Sequence, residues 1–96
     1  IPVSFISKQG GNRMFLIFKI LYDDWVANPQ GSGITKAETI SELKKYDAEC
    51  SERDVKDTIV NLRKLKIERM GLKDYVEIRY FDKQHRYRLN IKRALL

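Results

Sequence analysis

Apolar residues recur every three or four positions through Met14, Ile17, Phe18, Leu21 and Trp25, and the Asn28-Pro29 pair ends the pattern. That spacing predicts a helix from Asn12 or Arg13 to Val26. Phe15, Leu16 and Ile20 widen its stripe, which implies neighbours around most of the helix or a face lent to a second subunit. Gln30-Gly31-Ser32-Gly33 is a loop by composition, and Thr35 followed by Glu38 is a capping box opening a second helix. In that helix Ala37, Ile40 and Leu43 face the core as far as Tyr46, and Asp47-Ala48-Glu49-Cys50 makes a turn. Ser51, with Asp54 at the third helical position, caps a third helix running to about Ile67. Val55, Ile59, Leu62 and Leu65 form its buried stripe. Glu52, Arg53, Lys56, Asp57, Asn61, Arg63 and Lys64 are then left for solvent or a partner.

Beyond Ile67 the period changes. Glu68 to Asp74, with Gly71, is a connection; Val76, Ile78 and Tyr80 then share one side of a strand and Tyr87, Leu89 and Ile91 one side of another, joined by the tip Asp82-Lys83-Gln84-His85. The other side of the second strand carries Arg86, Arg88, Asn90 and Lys92, so a one-residue slip would bury polar groups and expose the apolar set. Helix, turn, helix and basic hairpin in this order predict an α+β fold, a winged helix-turn-helix of three helices with a C-terminal wing. Residues 1–96 are expected to form one such domain. In it, 1–11 make a flexible or extended arm with Gly10-Gly11 as a joint, 12–67 the three-helix core, 75–91 the wing, and 92–96 the start of a linker or helix.

A chain of 96 residues supports one modest core and leaves little for an enzyme cleft. The longest apolar run, Met14 to Tyr22, is interrupted by Lys19 and is too short to cross a bilayer. The opening Ile1-Pro2-Val3-Ser4-Phe5 lacks an initiator Met and a signal-peptide pattern, so a larger parent protein is expected. Charge is more telling. Residues 1–50 carry six Lys/Arg and six Asp/Glu, whereas 51–96 carry thirteen and seven, so the net charge of +6 belongs to the half holding the third helix and the hairpin. A basic half built this way suits a polyanion, since each phosphate contact releases counterions.

Catalytic chemistry would need a nucleophile with its base, a paired carboxylate site or metal ligands at suitable spacing, and none assembles here. No enzyme activity, cofactor or metal is expected. His85, the single histidine, lies at the hairpin tip, either as a DNA backbone contact or as a plain polar tip residue. Cys50, the single cysteine, precedes a helix cap but suits a small buried position, and it leaves no partner for a disulfide, in keeping with a reducing cytoplasm. Asp23-Asp24 lacks further ligands nearby and reads as a solvated helix end. Gly10-Gly11 lacks the lysine and hydroxyl of a phosphate loop. Phe15, Phe18 and Trp25 at helical spacing read as core.

These residues resemble the N-terminal winged-helix domain of bacterial WYL-type transcriptional regulators of the DeoR-like branch. The likeness runs from about Arg13 to Leu89. It rests on Phe15 to Tyr22 as a first helix; on Ile34-Thr35, Ile40 and Leu43 to Tyr46 as a second; on the Ser51 to Ile67 series; and on Tyr87-Arg88-Leu89 as a closing wing strand. The chain departs from the family at Asp57, where Arg is frequent, and at Lys66, where Gly often ends the helix. An acid at position 57 can pair with Lys56, Arg53 or Asn61, or accept from cytosine N4. The resemblance implies operator DNA bound as part of a dimer, with a ligand-sensing domain downstream. The expectation is sequence-specific binding of double-stranded DNA through Ser51, Glu52, Arg53, Lys56, Asp57, Asn61, Arg63, Lys83, His85, Arg86 and Arg88. The parent would be a homodimer, through its other parts or through helix one, with no membrane association. It would be cytoplasmic, or nucleoid-associated if bacterial. The alternative is a winged helix that docks a protein within a replication, recombination or transcription assembly.

Overall fold

The computed structural model describes residues 11–46 and 48–92. Helix α1 spans Gly11–Ala27, a two-residue strand β1 follows at Ile34–Thr35, and helices α2 and α3 cover Lys36–Lys44 and Glu52–Asn61. The third helix continues as a π-helical segment over Leu62–Glu68, and strands β2 (Val76–Phe81) and β3 (Arg86–Ile91) close the chain. The sheet is antiparallel with the order β1-β3-β2, so the last strand lies in the middle. This is a small α+β domain of three helices and a three-stranded antiparallel sheet. Residues 1–10 and 93–96, for which an arm and a linker or helix are expected, lie outside the described residues. Gly11 differs from its expected role as a joint: it opens α1.

Both capping boxes form as the sequence predicts. The Thr35 hydroxyl accepts from the Glu38 amide at 3.1 Å while the Thr35 amide donates to Glu38 Oε1 at 2.9 Å. Ser51 and Asp54 repeat the exchange at 3.1 and 3.0 Å. These backbone hydrogen bonds, Thr35 to Glu38 and Ser51 to Asp54, hold both carboxyls below the ordinary carboxylate range. A carboxyl whose folded pKa is depressed lends stability above its unfolded pKa and loses it as pH falls through the folded value. Urea unfolding midpoints should therefore hold steady from neutral pH down to about 5 and fall below about pH 4, the unfolded carboxylate range. Glu38→Gln together with Asp54→Asn should flatten part of that fall. An unchanged pH slope in the double variant would mean that other carboxylates carry it. Asp24 works in the opposite sense, because burial and then the nearby Glu38 push its carboxyl up.

The helices pack on the inward side of the hairpin. Ile17, Leu21, Leu43, Val55, Ile59, Leu62, Val76 and Leu89 are fully buried, and Phe18, Ile20, Ile67, Ile78 and Tyr87 nearly so. Met14, Phe15, Leu16, Trp25 and Cys50 pack partly buried against that cluster. The strand register pairs Val76 with Ile91, Ile78 with Leu89 and Tyr80 with Tyr87, which puts the expected apolar sets together on the core side. The Tyr80 and Tyr87 rings stack at a tilt, 4.7 Å between centroids.

Three expectations about helix faces are corrected. In α2 Ala37 is exposed and Thr39 is buried in its place, its hydroxyl donating back to the Thr35 carbonyl at 2.9 Å. That bond lets a polar side chain sit at a core position without an unmet group. In the third helix Leu65 is 44% exposed, whereas Thr58 and Ile67 are buried. The π turn is the cause: its wider winding after Asn61 rotates Leu65 off the α-helical stripe and brings Ile67 inward. The third concerns Arg63, which leaves the outward face through the same shift. The helix then ends in a Schellman motif around Gly71. Gly71 has φ +69°, its amide donates to the Glu68 carbonyl at 3.1 Å, and the Leu72 amide donates to the Ile67 carbonyl at 2.8 Å.

Candidate functional site

The outward side of α3 is presented by the capped turn before it and by α2 behind it. Ser51 is exposed, but its hydroxyl is engaged in the capping box. Glu52, Arg53, Lys56, Asp57 and Asn61 are exposed as expected. Arg53 Nε lies 3.8 Å from Asp57 Oδ2, one helical turn on, so the acid at position 57 faces a cation of its own helix. Lys56 and Asn61 have no side-chain partner among the described residues. Lys64 joins them, exposed as expected and unpaired among the described residues, while Arg63 does not. Every exposed residue from Ser51 to Lys64 is polar.

Arg63 instead lies half-buried against the sheet. Its Nε and Nη2 both donate to the Ile78 carbonyl, at 3.0 and 2.6 Å. Ile78 belongs to β2, an edge strand whose outer carbonyls no other strand meets, so the guanidinium covers part of that edge. Two more expected contacts are tied down in the same way. Arg86 Nη1 donates to the Gly33 carbonyl at 2.7 Å and to Glu38 Oε1 at 3.2 Å. Arg88 Nη2 donates to the Pro29 carbonyl, while its buried Nε has no partner among the described residues. The polar side of β3 therefore clamps the loop before β1, and it is not the free basic surface that strand alternation predicts. The alternation itself holds; the sequence pattern could not show that a third strand and its loop would cover that side.

At the hairpin tip Lys83 is exposed with no ion-pair partner among the described residues, and His85 is exposed with φ +53°. His85 Nδ1 and the Tyr80 hydroxyl share a hydrogen bond of 3.0 Å, which holds the imidazole over the strand. Histidine tolerates this left-handed conformation better than a β-branched residue would. The neighbouring Arg79, directly across from Arg88, turns toward Glu77 at 3.6 Å, and Asn90 donates to the same carboxylate at 3.1 Å. Those pairings separate two like charges that face each other across the strands.

Between the C-terminal half of α1 and α2 lies an open cleft of about 710 Å³ lined by Ile20, Asp24, Ala37, Glu38 and Tyr46 among others. Among the described residues no group of three or more His, Cys, Asp or Glu side chains is placed to hold a metal ion, and no helix is long and apolar enough to cross a membrane. No family model, no curated protein and no solved structure matches the chain. The chemistry of the site accordingly rests on its own residues: an outward helix face that mixes guanidinium, ammonium, amide and carboxylate groups, and a lysine at the hairpin tip in the same basic half of the sequence.

Proposed function

We propose that the chain is a winged helix-turn-helix that binds double-stranded DNA, as the DNA-binding domain of a transcriptional regulator similar to the WYL-type group. Helix α3 enters the major groove and the hairpin acts as the wing, its tip along a neighbouring backbone. One observation carries the reading. The outward side of the third helix is polar from Ser51 to Lys64, and Lys56, Asn61 and Lys64 have no side-chain partner among the described residues. Lysines there can neutralise phosphates, Asn61 has the paired donor and acceptor that suit adenine, and Arg53, oriented by Asp57, has the fork that suits guanine.

The test is fluorescence anisotropy of a labelled duplex titrated with the chain at several salt concentrations. Log affinity should fall linearly with log salt, at about −0.9 per phosphate neutralised. Arg53→Ala and Lys56→Ala should each weaken binding by roughly tenfold, in line with about 1 to 3 kcal/mol for a direct contact, and leave the melting temperature unchanged. Lys83→Ala should weaken specific and random duplex alike and shallow the salt slope by about one. The proposal fails if both α3 variants bind as the parent does, or if affinity at low salt is no better than that of a neutral control protein. Arg86 and Arg88 belong in a separate class: replacing either should lower stability first, through the loop they hold.

A further inference from the structure

The end of the third helix has a surface of a different kind. Leu65 is 44% exposed and Met70 53% exposed; the first lies within the π-helical segment and the second just past its end, five residues on. Lys64, Lys66, Arg69 and Lys73 flank them, and none has an ion-pair partner among the described residues. An ordinary α-helical continuation would have kept Leu65 on the core stripe. The chain instead adopts an uncommon winding that moves a large apolar side chain into solvent, a few residues before an exposed methionine, while Ile67 keeps the core filled.

From this juxtaposition we infer a second binding surface, at residues 64–73, for an amphipathic helix of a partner protein that carries apolar anchors flanked by carboxylates. Charge complementarity selects the partner. Four uncommitted cations call for acids, and two exposed apolar side chains call for Leu-like or Phe-like anchors set at helical spacing. Met70 suits such a surface because its unbranched thioether adapts to the shape of the anchor. A nucleic acid gains nothing from Leu65 and Met70. An anionic lipid surface would meet the exposed carboxylates of Glu68 and Asp74 within the same stretch, whereas a helix with an occasional Lys can pair with them. Lys64 marks the border with the polar stretch assigned above to DNA, and Leu65, Lys66, Arg69, Met70 and Lys73 lie beyond it.

The experiment uses the full 96-residue chain. The probe is a synthetic helical peptide with Leu and Phe on one side and Glu on its flanks, and the control is a scrambled peptide of identical composition. Titration followed by ¹⁵N amide shifts should show perturbations confined to residues 64–73, with at least tenfold tighter binding than the scramble. Leu65→Ser with Met70→Ser should lose at least tenfold in peptide affinity and leave both duplex binding and the melting temperature as in the parent. Equal binding of peptide and scramble would reduce the surface to bare charge and overturn the inference. So would shifts that fall elsewhere on the chain. Tighter binding to phosphatidylserine vesicles than to the peptide, lost in the same double variant, would overturn it in favour of a membrane. Each of these outcomes is independent of whether Arg53 and Lys56 contact DNA.

Discussion

Leu62→Ala is expected to cost about 2 to 5 kcal/mol of stability, whereas Leu65→Ala, three residues further on, should change it by no more than about 0.5 kcal/mol. Leu62 is fully buried where the α-helix gives way to the π turn, so truncation leaves a cavity walled by the helices and the sheet. Leu65 faces solvent, and its loss removes little contact. The two substitutions delete the same atoms, so the contrast isolates the winding of the helix. Chemical denaturation of both variants measures it. Equal and large losses would mean that the segment is a regular α-helix in solution with Leu65 on the core stripe, and the surface at residues 64–73 would disappear with that result.

Gly33→Ala should be nearly as damaging, at about 2 to 4 kcal/mol. Gly33 has φ +91°, and a Cβ built there would lie 2.1 Å from the Tyr87 carbonyl oxygen and 2.7 Å from its carbon. Those atoms are backbone in the central strand, opposite Ile34 in the β1–β3 register, so the neighbour cannot turn aside. The extra methyl has to push β1 off the sheet, and with it the Gly33 carbonyl that Arg86 holds. A drop of roughly 10 to 20 °C in melting temperature follows for a domain of this size. Gly71→Ala is the built-in control. Gly71 also has a positive φ, but nothing lies within 4 Å of its absent Cβ, so only the conformational cost of about 1 kcal/mol applies. Similar losses at the two glycines would mean that close packing of β1 against β3 is not what fixes Gly33.

The features that the sequence reveals are those set by local chemistry. Thr35/Glu38 and Ser51/Asp54 are self-contained capping pairs, so the helix starts can be read to the residue. The hairpin register follows from a period-two pattern that only one alignment satisfies. What escaped reading depends on distant partners. Strand β1 has two residues and no periodicity, and the β-branched pair Ile34-Thr35 after Gly33 is its one local sign. The π turn breaks the spacing rule midway through a helix, and the rule places Leu65 inside and Arg63 outside for that reason. In the candidate site, exposure of Arg53, Lys56, Asp57, Asn61 and Lys83 was legible because each sits opposite a local apolar stripe or at a turn. The commitments of Arg86 and Arg88 were not, because their acceptors are 53 and 59 residues earlier in the chain.

The central place of β3 has a consequence for how the molecule is made. The first helix packs on β3, and β1 finds its one strand neighbour among the described residues in the same place, so both early elements depend on residues 86–91. A nascent chain leaving the ribosome carries α1, α2 and α3 with the part of their apolar surface that faces the sheet open until Tyr87 and Leu89 emerge. Closing that gap joins segments more than fifty residues apart, an entropic step that local helix formation cannot replace. Assembly is therefore concentrated into one late event. A chain released before β3 has three helices that can meet one another but lacks the strand that seats α1 and β1, which makes it a substrate for chaperones and proteases until that strand is in place.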